Sequence, residues 1–280
     1  MANFRTSSVF RFTRDFKLLK KIIRNGIVPN YCEEDLSFNG TEFCVGIPMA
    51  SFCDIPITLL DEHNKRYGNY GIALTKQWAH ANGLSPVMYV SNENILASVY
   101  YHYNTNKQVL DWYNSKEVQD SLMRETILKS LPTAKYMEKL AAEYEHVVNT
   151  HIIGYIKKYE GEYQKRPINN YEENEWRFLV PDDHDTKWFW NRKEYIKWRF
   201  PKGNYNASKP SPSKSLKRYT LNFSFDDLSY ILVKDEEFKS RLIEFIENLD
   251  KIGGHSKVDS HQKYNILSKI ITIEQVKRDF

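Results

Sequence analysis

Apolar and polar positions along this chain fall into short blocks, and the period changes from one block to the next. Val9-Phe10-Arg11-Phe12-Thr13 sets one arginine among apolar and aromatic residues, the pattern of a short strand. Asp15 follows as a helix N-cap, then Phe16, Leu18, Leu19, Ile22 and Ile23 recur at helical spacing, and Gly26 stands where a C-terminal cap belongs. Arg11 and Thr13 are two apart, so a strand carries both on one face just before the turn. Residues 27–45 show no period: Pro29, the acidic run Glu33-Glu34-Asp35 and Asn39-Gly40 predict a long loop. Met49 to Ile55 reads as a buried strand with Ser51, Cys53 and Asp54 among its apolar residues, ended by Ile55-Pro56. His63 and Tyr67 are four apart and share a helix face. Gly68 to Gly71 is a turn, Ile72 to Leu74 a strand, Trp78 to Asn82 a helical stretch and Pro86 to Val90 a further strand.

Residues 92–160 change character. They are helical, rich in Lys, Glu and Tyr, and read as a helical insertion between strands, with a solvated charged face or a partner surface. The pattern then turns sharply at Asn170 to Pro181, where an acidic front leads into the apolar run behind Trp176 and Pro181 stops it. This is a strand entering a core. Glu173 and Glu175 are two apart and point to one strand face, where like charges repel unless a cation or a ligand's hydroxyls separate them. Arg177 stands two positions on and offers to neutralise the pair. Between 183 and 217, aromatics alternate with basic residues, and Trp188 to Lys202 has the composition of a surface that stacks on bases and contacts phosphates. Leu221 to Phe225, Tyr230 to Val233 and Ile266 to Ile273 are expected strands, Glu236 to Leu249 an amphipathic helix ended at Gly253-Gly254, and residues 274–280 a last helical turn.

Composition narrows the classes. With 280 residues, 41% hydrophobic and 27% charged, the chain builds a sizeable core and is neither disordered nor membrane-spanning. A net charge of +4 is too mild to argue for nucleic acid on its own. Cys32, Cys44 and Cys53 form no CxxC pair, and the eight histidines form no HExxH, so no metal site and no disulfide framework is expected. No signal peptide is visible, and a reducing cytoplasm is the expected setting. The blocks together predict one α+β domain over 1–280, with the helical insertion at about 92–160 lying outside its sheet.

Phe10-Arg11-Phe12-Thr13, Gly26, Ser51-Phe52-Cys53-Asp54-Ile55-Pro56, His63, Tyr67 to Ile72, Glu173-Asn174-Glu175-Trp176-Arg177 and the closing Ile270 to Phe280 resemble the AbiGi family over nearly the whole chain. That resemblance implies a bacterial abortive-infection role in phage resistance, often labelled that of an antitoxin. A wider resemblance is to ADP-ribosyltransferases: an Arg and a Thr on a first strand, a Ser- or Tyr-bearing second strand and a late Glu-x-Glu. The middle motif here has no Ser-Thr-Ser. This second resemblance implies two small split β-sheets around a cleft for NAD. Arg11 would hold its phosphate or ribose with help from Thr13. Ser51 or Tyr70 would line the nicotinamide pocket, Glu175 would be the catalytic glutamate, and Glu173 would prepare the acceptor. Asp54 and His63 are expected in the same cavity as Ser51 and Tyr70, because small polar residues inside an apolar strand need partners. Two other classes stay open: a non-enzymatic antitoxin bound to a cognate toxin, and a nucleic-acid binder working through Trp188–Lys202.

Overall fold

The computed structural model describes residues 6–38, 42–91, 152–163, 166–201, 203–205, 208–254 and 256–279. The expected helical insertion therefore lies almost wholly outside the described residues. Its C-terminal end does not: Ile153–Tyr155 is a 3-10 turn and Ile156–Lys158 a strand, not helix.

The fold is α+β. Its main sheet has eight strands, and seven of them follow the order β14 (Ile270–Thr272), β11 (Leu228–Val233), β4 (Tyr70–Thr75), β1 (Ser8–Thr13), β3 (Cys44–Cys53), β10 (Glu175–Leu179) and β5 (Ser85–Pro86). The eighth, β2 (Asn30–Asp35), pairs with β3 off this path. Most pairings are antiparallel, and β11 with β14 is parallel. A separate parallel pair joins β6 (Met88–Val90) to β7 (Ile156–Lys158), and a hairpin joins β8 (Glu160–Tyr163) to β9 (Arg166–Asn169).

Strand alternation divides the sheet's two faces. Val9, Ala50, Phe52, Ile72, Leu74, Trp176 and Ile231 share one core with α1 (Phe16–Asn25) and α6 (Glu236–Glu247), which supply Leu19, Ile23, Leu242 and Ile246. The other face carries Phe10, Cys53, Ala73 and Leu232 in a smaller apolar cluster, and Ser51, Glu175 and Arg177 alternate onto this face. Helix α1 begins as its sequence implies: the Asp15 side chain accepts from the Lys17 amide, and Gly26 closes it at φ 82°. A further hairpin, β12 (Lys251–Ile252) with β13 (Ser256–Lys257), and the helices α2 (Leu60–Tyr67), α3 (Lys76–Ala81), α4 (Arg192–Arg199), α5 (Lys214–Lys217), α7 (Ser260–Leu267) and α8 (Ile273–Asp279) are the other strands and α-helices.

The edges of one strand shape the site. Strand β3 is paired on one side by β10 from Met49 to Cys53. On its other side β2 runs from Cys44 to Met49, and β1 touches only at Cys53. Residues 50–52 have no strand on that edge, so the sheet is split there.

Several boundaries differ from the periodicity. The expected loop at 27–45 contains β2 and the start of β3, in register from Asn30 opposite Met49 to Asp35 opposite Cys44. Its acidic side chains gave no apolar alternation, because three of them face cations: Glu33 meets Arg192, Glu34 meets Arg177 and Asp35 meets Lys158. Strand β3 ends at Cys53, before Ile55. Leu221 to Phe225 is not a strand: Leu221 makes a single bridge to Ile27, and the Phe223 amide donates to the Gly253 carbonyl. Residues 266–273 form a strand only at 270–272, because α7 runs on to Leu267. Pro86 to Val90 divides between two sheets at Val87.

Candidate functional site

A cavity of ≈ 560 Å³ opens on the split of the sheet, and Arg11, Ser51, His63, Glu173 and Glu175 all line it. That volume is within the usual range for small-molecule sites. Positions 164 apart in sequence, Arg11 and Glu175, thus share one cavity. Thr13, Asp54 and Tyr70 are placed elsewhere. The Thr13 hydroxyl accepts the Asp15 amide at 3.1 Å and shapes the turn into α1. Asp54 accepts Thr6 at 2.7 Å and pairs with Lys76 at 2.6 Å beyond the end of β3. Tyr70 packs between Phe16 and Phe238 in the helix-covered core.

The acidic wall is built around Arg177, which is fully buried. Its Nε donates to Glu175 Oε1 at 2.8 Å and its Nη2 to Glu175 Oε2 at 3.1 Å. Nη2 also reaches Glu34 Oε2 at 2.8 Å, while Nη1 donates to the carbonyls of Gly154 and Ile156. Every N–H of that guanidinium has an acceptor. Glu173 does not reach Arg177. Its side chain leaves a 3-10 turn, Asn170–Glu173, and Asn174 then takes a left-handed φ of 42° before β10 begins at Glu175. The expected common strand is therefore absent, yet the two carboxylates still meet. Lys157 Nζ stands 2.7 Å from Glu173 Oε2 and 2.7 Å from Glu175 Oε2, the separating cation that like charges require. Arg66 and the Tyr67 hydroxyl hold the remaining Glu173 oxygen.

These contacts set the charges. Burial alone would raise Glu175, but Arg177 and Lys157 hold its carboxyl far below the usual range. Burial would discharge Lys157, yet Glu175, Glu34 and Glu173 keep it well above an ordinary lysine. Burial pushes Glu34 up and outweighs Arg177, whose charge is already engaged by Glu175. Three carboxylates thus face three cations, Arg66, Lys157 and Arg177, and the wall carries little net charge.

The wall joined to it through Tyr67 is aromatic, and Arg11 lines the same cavity. His63 sits between Phe12 and Tyr67, with ring centres 5.1 Å and 4.4 Å away. Burial lowers its pKa to about 4, so it is a neutral ring at physiological pH. Arg11 fills the split: its Nη1 donates to the Ser51 carbonyl at 2.9 Å, and its guanidinium lies 5.8 Å from the Phe52 ring centre. Among the described residues it has no ion-pair partner, and burial pulls its pKa down.

The Trp188–Lys202 stretch turns its rings inward. Trp188 is 3% exposed and stacks on Trp190, and Trp198 packs against Tyr31 and Phe189. Among the described residues no His, Cys, Asp or Glu cluster could hold a metal ion, and no helix is long and apolar enough to cross a membrane.

A family model described as "Putative abortive phage resistance protein AbiGi, antitoxin" matches residues 25–234, three quarters of the chain and the whole acidic wall. The chain belongs to the AbiGi family. The abortive phage resistance protein AbiGi of Lactococcus lactis subsp. cremoris is 26% identical over 245 residues, covering 84% of this chain and 89% of that protein. No solved structure matches. Arg11 and Thr13 precede the stretch that the family model covers.

Sequence reasoning missed Lys157 and Glu34. Lys157 was hidden inside a charged segment read as an insertion. Glu34 was hidden in a run read as a loop. Its signal was an acidic triplet with no helix to solvate it.

Proposed function

We propose that this AbiGi chain is an NAD-dependent, ADP-ribosyltransferase-like phage-resistance effector that modifies a protein or nucleic acid, with the split sheet as its NAD cleft. The observation that carries this reading is that Arg11 and Glu175 line one cavity and Arg11 has no acidic partner among the described residues. A guanidinium with N–H donors left over beside a cavity fits a diphosphate. The carboxylate wall does not oppose that anion, because Arg66, Lys157 and Arg177 offset it.

Bound NAD supplies an activated ribose whose cleavage develops positive charge at the anomeric carbon. Glu175, buried and held ionised, stabilises that charge electrostatically. The neutral His63 ring and Phe12 offer flat apolar surface for a planar ring, and Ser51 lines the cavity beside them.

Labelled NAD incubated with the purified chain and bacterial lysate tests this. Nicotinamide release and label on a macromolecule are expected, and Glu175→Gln lowers both by about 10²-fold while staying folded. If the wild-type chain neither binds NAD nor releases nicotinamide, the reading falls.

The family description favours a second reading: a non-enzymatic antitoxin that binds a cognate toxin. Under it, folded Glu175→Gln leaves phage protection in cells unchanged.

A further inference from the structure

Three carboxylates gather around Arg177 and Lys157 in the acidic wall, and they are engaged to different degrees. Glu175 receives three hydrogen bonds from Arg177 and Lys157. Glu173 receives three, from Arg66, Tyr67 and Lys157. Glu34, on β2, contacts Arg177 through Oε2 alone. Its Oε1 has no partner among the described residues, its side chain is 13% exposed, and it lines the cavity. Fully engaged carboxylates are poor proton acceptors, because each proton gained displaces a charge-assisted hydrogen bond.

We propose that Glu34, rather than Glu173, is the proton-accepting carboxylate of the site, taking the proton from an O–H or N–H acceptor as that acceptor attacks the ribose. This rests on the NAD reading above. In the step, the acceptor heteroatom bonds to the anomeric carbon and the bond from that carbon to the nicotinamide nitrogen breaks. Its electron pair neutralises the pyridinium, and the acceptor's proton passes to Glu34, which returns it to solvent.

The neighbours of Glu34 support the assignment. Arg177 and Glu175 face it from β10 and Lys157 from β7. Arg11 on β1, Glu160 and Glu162 on β8, and Cys32 on β2 line the same cavity. Glu33 and Asp35, its own neighbours, are engaged by Arg192 and Lys158. In this setting burial raises Glu34 while Glu175 is held low, and carboxyls pushed apart in this way divide the roles of proton carrier and fixed charge. A base must be ionised, so the rate rises with pH through the pKa of Glu34 and then levels.

The test compares Glu34→Gln, Glu173→Gln and Glu175→Gln with wild type, measuring NAD turnover against pH. In Glu34→Gln the amide oxygen still offers Arg177 an acceptor. This substitution is expected to lower transfer by about 10²-fold with little change in KM for NAD, and to abolish the rising limb. Glu173→Gln is expected to retain that limb. If Glu34→Gln keeps the wild-type rate and limb while Glu175→Gln is inactive, the assignment to Glu34 is overturned and the NAD reading stands. Infrared difference titration of the protein without NAD separates the other failure. A carboxyl band titrating above the ordinary range and lost in Glu34→Gln keeps Glu34 as the proton carrier even if the chain cleaves no NAD. Absence of that band in wild type overturns the assignment.

Discussion

Arg177, fully buried, and Arg11, half-buried, are guanidiniums beside the same cavity, and they are treated in opposite ways. Arg177 has an acceptor for every N–H, with Glu175 and Glu34 as counter-ions, and its charge is reinforced against the cost of burial. Among the described residues Arg11 has one hydrogen bond, to the Ser51 carbonyl, and burial weakens its charge, opposed only by nearby Cys32. The first arrangement is complete without a ligand. The second leaves donors directed at a cavity, where an anion would relieve the desolvation cost. Perturbed charge alone does not mark a binding group, since both arginines are perturbed. The difference lies in whether the protein itself supplies the partner.

The largest effect that can break this comparison is on stability. Arg177→Met strands Glu175 and Glu34 without their common partner and is expected to cost about 3–5 kcal/mol. Arg11→Met removes a charge with no counter-ion among the described residues and is expected to leave stability unchanged or raised. Denaturant unfolding of both variants checks this, and equal losses would erase the distinction. Next in size is the aromatic wall beside Arg11. His63 is buried neutral, with its pKa lowered from 6.5 to about 4. The unfolded chain takes up a proton below pH 6.5 and the folded chain does not until about pH 4. The stability His63 contributes is therefore complete above pH 6.5 and is lost as pH falls, by roughly 2–3 kcal/mol between pH 7 and pH 4.5. His63→Phe, which keeps the ring packing, should remove that part of the slope in unfolding curves taken at the two pH values. The smallest effect sharpens the role of Arg11. Arg11→Lys keeps the charge but loses the planar fork, and titration calorimetry should show NAD bound about tenfold more weakly with the fold intact.

The opening of the chain was legible because its signals are local. Asp15 caps α1 and Gly26 ends it, and the apolar spacing between them needs no distant contact. The same is true of α6, where Asp235 accepts the Phe238 amide and Leu242 and Ile246 face the core. Glu175 was legible as the first residue of a strand that turns from acidic to apolar. Strand β2 was not, because its pairing partner and the cations that justify Glu33, Glu34 and Asp35 come from other parts of the chain. Glu173 and Glu175 were paired for the wrong reason: a 3-10 turn and Lys157 bring them together, not strand alternation.

By itself, the sequence determined the α+β class, the strand–helix opening, the amphipathic C-terminal helix and the likeness to AbiGi proteins. Each of these depends on residues within one helical turn or one strand of each other, or on motifs read in order. Tertiary structure alone decided which charges are satisfied. Arg11 could have met a carboxylate and Arg177 could have met a ligand. The split on one edge of β3 leaves Arg11 over a cavity, while the crossing of β2, β7 and β10 encloses Arg177. Burial and pairing of charge follow from distances between residues far apart in the chain, and no local pattern encodes those distances.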